Sequence, residues 1–318
     1  MELNIEPVGS PTLLGEGPYW DEENQTLYYI DVVKPILFSF KPETGAHHSA
    51  EIETGGSNER VSFVIKIKDK KNKFVVAVKN RFTVVDWDGE SPGPLTPQHL
   101  VDVESQDLCH LNDGKCDPSH RLWAGSLGHF PEGATGIDQV EKEQGSLYSM
   151  QKDKSVVKRR GKVNLSNGLA WSIDKKKFYY IDTVKYRIDS YDYDDATGDI
   201  SNEKVAFCLK NNKVDGAPDG MTIDQEGMLW VACYNGYQVI RVDPNTGKLL
   251  QRLAIPSPNV TSVIFGGPNY EDLYVTTGTL QMTNEQIEKY PHSGCVFRVT
   301  GLGVKGTPSL PVVLQTDL

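Results

Sequence analysis

The sequence contains no run approaching the roughly 20 consecutive apolar residues that a membrane-spanning helix requires. Its opening, Met1-Glu2-Leu3-Asn4-Ile5-Glu6, has neither a basic n-region nor an apolar h-region, so no export signal is expected. Cys109, Cys116, Cys208, Cys233 and Cys295 include no close pair. That spacing argues against a disulfide framework and against a structural zinc site, and with no export signal it favours reduced thiols and a cytoplasmic address. Positive charge is scarce too: the formal net charge is −10, the wrong sign for a protein that grips a phosphate backbone. The basic runs at residues 66–73 and 158–160 read as solvated turns or strand edges. There is no EF-hand loop, no GxSxG nucleophile motif and no glycine-rich phosphate loop. Long helical periodicity is also missing, which excludes an α/β architecture.

What the sequence does have is a repeat. Gly15-Glu16-Gly17-Pro18-Tyr19-Trp20-Asp21 is followed by Leu27-Tyr28-Tyr29-Ile30-Asp31. Ser166-Asn167-Gly168-Leu169-Ala170-Trp171 is followed in the same way by Phe178-Tyr179-Tyr180-Ile181-Asp182. Pro218-Asp219-Gly220-Met221-Thr222-Ile223-Asp224 then leads into Leu229-Trp230-Val231-Ala232. Each reads as a strand, a polar turn and a second alternating strand, the signal of antiparallel β-structure. Weaker copies begin near Ser62, Asn112 and Ser262. Units recurring roughly every 40–55 residues, each of three or four strands, predict an all-β, six-bladed β-propeller forming one domain over residues 1–318. The stretch at residues 3–8 is a candidate for the strand that completes the last blade.

In a propeller the first strand of each blade lines the central channel, so equivalent positions form a ring. Here the ring reads Glu16, Ser62, Asn112, Asn167, Asp219, Ser262. Glycine directly follows Glu16, Asn167 and Asp219 and permits close backbone approach. Asn112 is followed by a further acid, Asp113. Carboxylates and amides converging on an axis repel and stay unsatisfied unless a cation joins them. With no histidine or cysteine in the set, a hard divalent cation is the expected ligand. Asp21, Asp117 and Asp224, at the far end of the first strands, read as turn caps instead.

With these motifs in place, the chain resembles the regucalcin, gluconolactonase and luciferin-regenerating-enzyme family, and within it the animal regucalcin-like branch. The most specific segments are Leu111-Asn112-Asp113-Gly114-Lys115, Ser166-Asn167-Gly168-Leu169-Ala170-Trp171, Pro218-Asp219-Gly220-Met221 and Leu229-Trp230-Val231-Ala232-Cys233-Tyr234-Asn235-Gly236. The resemblance implies one metal held by Glu16, Asn167 and Asp219, with calcium first and zinc, manganese or magnesium as alternatives. It also implies opening of small lactones, with Asn112 meeting substrate or a metal-bound water and Asp113 as its acidic neighbour. Two departures bear on the substrate. His110 stands where sugar-lactone relatives usually carry arginine, and imidazole is shorter than guanidinium and titrates near neutrality. After Gly125 the chain reads Ser126-Leu127-Gly128-His129-Phe130-Pro131-Glu132, a more aromatic lining than such relatives have.

The expected activity is therefore metal-dependent hydrolysis of a small lactone or ester by a monomer that engages neither nucleic acid nor membrane. Asp219 or Asp113 serves as general base, with Asp219 preferred because it can reach metal and water together. Asn112, His110, His129 and Phe130 shape the substrate pocket. The alternatives are a calcium-binding regulatory protein, a luciferin-regenerating-type enzyme on the same fold, and a protein-docking propeller, which would not need the axial carboxylates.

Overall fold

In the computed structural model, residues 2–56, 59–106 and 108–315 are described. The chain is almost wholly β. Strand β1 (Asn4–Val8) is followed by β2 (Gly15–Asp21), β3 (Thr26–Asp31), β4 (Ile36–Lys41) and β5 (Ala46–Glu51). Next come β6 (Val61–Lys66), β7 (Lys73–Val78), β8 (Arg81–Asp86) and β9 (Gln98–Asp102), then β10 (His110–Cys116), β11 (Leu122–Leu127), β12 (Gly145–Met150) and β13 (Val156–Val163). The chain continues through β14 (Ser166–Trp171), β15 (Lys177–Asp182), β16 (Arg187–Tyr193) and β17 (Ile200–Cys208). It ends with β18 (Ala217–Ile223), β19 (Leu229–Tyr234), β20 (Gln238–Asp243), β21 (Lys248–Ala254), β22 (Asn259–Gly266), β23 (Asp272–Gly278) and β24 (Val296–Thr300). A short helix, α1 (Asn284–Lys289), lies between the last two strands. No helix among the described residues is long and apolar enough to cross a membrane.

β2–β5, β6–β9, β10–β13 and β14–β17 each form a four-stranded antiparallel meander. The remaining strands form one eight-stranded sheet, in which β19 meets β22 at the single pair Tyr234–Asn259. β1 adds to the outer edge of β24, in register from Asn4–Thr300 to Val8–Val296, so the two ends of the chain close one sheet. The first strand of each run packs on the first strand of the next: β2 on β6, then β10, β14, β18 and β22, which returns to β2. This cyclic packing makes the fold propeller-like.

The burial gradient follows from that arrangement. Second strands lie between neighbouring sheets and are buried on both faces, as in β3 (Thr-Leu-Tyr-Tyr-Ile-Asp). Outer strands face water on one side and carry the charge, which blunts their open edges. The run Lys158-Arg159-Arg160 lies on outer strand β13, where Arg159 pairs with Asp199 at 2.6 Å and Arg160 with Glu203. Asp117 and Asp224 cap their turns and also staple the sheets. Asp117 accepts from Arg121 Nε at 2.6 Å and from Trp123 Nε1 and Tyr193 OH at 2.8 Å. Asp224 accepts from Trp230 Nε1 at 2.9 Å and Arg241 Nε at 2.8 Å. The buried charges are thereby paired, as burial demands.

Candidate functional site

Each inner strand is bulged near its start. The register with the second strand slips between Glu16 and Tyr19, Val61 and Val64, Leu111 and Gly114, Ser166 and Leu169, Pro218 and Met221, and Val260 and Ser262. A bulge leaves a residue out of the ladder and re-aims its side chain. Ser62, Asn112, Asp113, Asn167, Asp219 and Thr261 fall inside these slips, and Glu16 is the last paired residue before its own. Two glycines allow the strands to close so tightly. A Cβ on Gly17, which sits at φ +54°, would lie 2.5 Å from Phe63 Cα, and one on Gly220 would lie 2.0 Å from Ser262 Oγ.

The structure brings Glu16, Asp113 and Asp219 within electrostatic reach of one another. Burial first, and then the Asp113 charge, push Glu16 from 4.5 up to about 8. Burial followed by the charges of Glu16 and Asp113 holds Asp219 well above the carboxylate range. Asp113 is raised by burial alone, partly offset by Lys115. Glu16 takes a hydrogen bond from Gly17 N–H at 3.0 Å, and Asp113 one from Gly114 N–H at 2.7 Å. Asp219, only 8% exposed, accepts none among the described residues. The amides next to them are fixed. Asn112 Nδ2 donates to Ser166 O at 2.7 Å and to Asn167 Oδ1 at 3.2 Å, while Asn167 Nδ2 donates to Thr183 Oγ1 at 2.7 Å. Both amino groups are thus engaged by protein, Asn167 Oδ1 accepts one of these bonds and keeps its second lone pair for a ligand, and Asn112 Oδ1 takes no hydrogen bond among the described residues.

Among the described residues, no three His, Cys, Asp or Glu side chains close into a preformed metal cluster. The candidate set mixes two carboxylates, Glu16 and Asp219, with the amide of Asn167. Its chemistry fits a hard cation: the donors are all oxygen, and the Asp219 carboxylate is buried without a partner.

His110 lies at the start of β10, half-buried, and its Nδ1 has no hydrogen-bond partner among the described residues. Burial pushes its pKa below the usual 6.5, helped by the nearby charges of Arg60, Lys79 and His129. His129 and Phe130 are half-buried in the loop after β11. That loop meets the loop after β23 through a hydrogen bond from Gln281 Nε2 to Ala134 O at 3.4 Å, and Tyr186 OH donates to Asp138 at 3.0 Å. These contacts tie the loop after β11 to its neighbours.

Sequence reasoning missed three features. Burial and then the Asp219 and Glu16 charges push Tyr234 up to about 12, so its hydroxyl is within electrostatic reach of both carboxylates. Its signal was a position at the end of a second strand, opposite Ala217 in register. Lys115 is brought down to about 8 by burial, with Asp113 acting against that shift. Its signal was weak, because Asp113, two residues before it, sits in the bulge that breaks the alternation of faces along β10. Arg60 and Lys79 place cations beside His110, and no repeat position announces them.

An all-β, propeller-like fold with acids and amides gathered on its inner strands defines the class of protein. The SMP-30/gluconolactonase/LRE-like family profile matches residues 14–279, and the chain belongs to that family. It is 39% identical to regucalcin of Xenopus laevis over 305 residues, 96% of each chain. A luciferin-regenerating enzyme superposes with a TM-score of 0.89 at 38% identity, covering 98% of this chain and 100% of that one. A calcium-binding regucalcin from Agrobacterium tumefaciens superposes with a TM-score of 0.82 at 25% identity, covering 96% and 95%.

Proposed function

We propose that the chain is a divalent-metal-dependent hydrolase of small lactones or esters, built as a single six-bladed propeller. The one-pair junction at Tyr234–Asn259 supports reading the eight-stranded sheet as two adjoining blades. The observation that carries the function is the charge balance of the ring. The buried carboxylates of Glu16, Asp113 and Asp219 lie within electrostatic reach of one another, and only Asp113 feels an ammonium, that of Lys115, so the ring carries an excess of negative charge that a divalent cation would cancel. Glu16, Asn167 and Asp219 would hold it, with calcium the first expectation and zinc, manganese or magnesium the alternatives.

When bound, such a cation polarises a carbonyl oxygen and makes water a better acid. The chain's own residues do the rest. Asp219 accepts the water proton at a carboxylate oxygen, with Asp113 as the alternative base. Asn112 orients substrate or water through its amide oxygen. Tyr234 stays protonated at neutral pH and offers a donor within electrostatic reach of the carboxylates. His110, neutral at pH 7, lines the mouth with His129 and Phe130 and favours a less polar lactone than a guanidinium would select.

The test is hydrolysis of glucono-lactone and a panel of aromatic lactones, using protein stripped of metal and then reloaded. Turnover should require metal, and Asp219→Ala should lower it by about 10²–10⁴-fold. Equal rates in stripped and reloaded protein, or in variant and parent, would overturn the reading. The second reading, a calcium-binding regulatory protein, draws on the description of the Agrobacterium relative as calcium-binding. Tight calcium binding without turnover of any lactone would favour it. The luciferin-regenerating relative is named for another reaction on a like fold, so the panel should extend beyond sugars.

A further inference from the structure

Starting at Asp113 and Ser262 on the edge of the ring, a chamber runs toward the other end of the channel. Past the ring the inner strands run on to Tyr19, Ile65, Cys116, Trp171, Ile223 and Ile264, which line a cavity of about 260 Å³. The C-terminal segment 307–310 forms another wall. It is pinned across this end by Gly306 N–H to Tyr270 O at 2.8 Å and by Val312 N–H to Lys66 O at 2.9 Å. At the rim stands Ile173, 52% exposed, a large aliphatic side chain left in water.

Set in these mainly apolar walls is Lys115. Its Nζ reaches from β10 past β14 to donate to Met221 O on β18. Among the described residues the amine makes that one hydrogen bond and no ion pair within 4.0 Å, although the Asp113 charge acts on it from further away. An ammonium has three donors, and in apolar surroundings it favours an anionic acceptor.

We propose that this chamber binds a small apolar monocarboxylic acid, with the carboxylate on Lys115 and the hydrocarbon body toward Ile65, Ile264 and Ile173. The walls carry Lys115, Lys175 and Asp113, a net single positive charge, which selects a monocarboxylate over a phosphate dianion. At about 30 Å³ per water, the cavity equals roughly nine waters, room for an acid of about eight to ten heavy atoms. The chamber shares Asp113 and Ser262 with the ring but extends well past it, since Ile173 lies beyond the end of β14 whereas Asn167 lies at its start.

The ring carboxylates repel an anion, so the experiment uses full-length protein loaded with calcium. Its metal content is measured separately, which keeps a failure of the metal reading distinguishable. Octanoate, and 1-octanol as a neutral match, are titrated by calorimetry. Octanoate should bind saturably, one per chain. Lys115→Met should weaken octanoate by about tenfold or more, the loss of a charge-assisted contact, and leave octanol unchanged. Ile173→Asp, a surface change that tests the site even if the lysine variant fails to fold, should weaken both. Absent octanoate binding, full affinity in folded Lys115→Met, or affinity unmoved by Ile173→Asp, as for a molecule held at the metal end, would each overturn the proposal.

Discussion

Glu16→Gln should stabilise the protein without metal and shrink the stabilisation that metal adds. The first half follows from the cost of the buried charge. The folded carboxyl holds its proton up to about 8, whereas the ordinary value is 4.5. Between those values the unfolded chain binds fewer protons than the folded one, so stability falls as pH rises. At about 1.4 kcal/mol per pH unit, Glu16 alone costs about 3–5 kcal/mol by the top of that interval. Asp113 and Asp219, also raised, act in the same direction. Other groups oppose the trend outside a usable window. His47 and His110 are pushed below 6.5, so the stability they add grows with pH and is complete by about that value. Lys115, brought from 10.5 down to about 8, adds stability only as pH rises above 8. Between pH 6.5 and 8 the carboxylates therefore dominate, and the metal-free parent should lose about 2 kcal/mol from Glu16. Urea midpoints measured in chelator at about pH 6.5, 7 and 8 would read this directly. Glutamine keeps the shape, removes the charge and should flatten the profile. With calcium at about 100 times its Kd the parent gains about 2.7 kcal/mol, and Glu16→Gln, lacking one ligand, gains less. A parent profile in chelator that is flat or rising over this window, or a variant less stable than parent at pH 8 in chelator, would refute the argument.

Other substitutions test neighbouring parts of the reasoning. His110→Arg should raise kcat/KM for glucono-lactone about tenfold relative to an aromatic lactone, since a guanidinium offers a fixed fork to sugar hydroxyls; an unchanged ratio would show that His110 does not set selectivity. Asp117→Ala leaves Arg121, Trp123 and Tyr193 without their shared acceptor, which is 0% exposed. The expected loss is about 3–5 kcal/mol in urea unfolding, and a loss below about 1 kcal/mol would mean the staple is dispensable. Gly220→Ala places a Cβ 2.7 Å from Ser262 Cα and should cost about 1–3 kcal/mol by overpacking, which thermal melting would detect.

The architecture was legible because the burial pattern of each unit is written locally. Phe178-Tyr179-Tyr180-Ile181-Asp182 reads as a strand buried on both faces, and β15 is one. The turn aspartates were legible for the same reason: their partners, such as Glu226 N–H and Met228 N–H for Asp224, lie within a few residues. Residues 3–8 carried too little pattern to be assigned alone. Their place against β24 is set by pairing partners almost the whole chain away.

The candidate ring positions came from repetition, and each unit has its bulge at or next to one of them, but repetition describes what the units share. Lys115 and Tyr234 matter through what the units do not share. Lys115 crosses the channel to a carbonyl two inner strands away, and Tyr234 feels the charges of acids contributed by β18 and β2. Such groups are placed by closure of the whole ring, so their neighbours cannot be found at any fixed offset along the chain. The same closure sets the charge of the site. Glu16, Asp113 and Asp219 lie on three different inner strands, and each would be an ordinary surface acid in an isolated meander. Bringing them together raises their proton affinity, and that repulsion is what a divalent cation relieves. Metal affinity in this fold should therefore track ring closure: deleting residues 2–8, which removes the β1 edge of the last sheet, should weaken calcium binding without touching a single candidate ligand. Unchanged calcium affinity in a folded deletion variant would show that the inner strands hold the site without help from the closing strand.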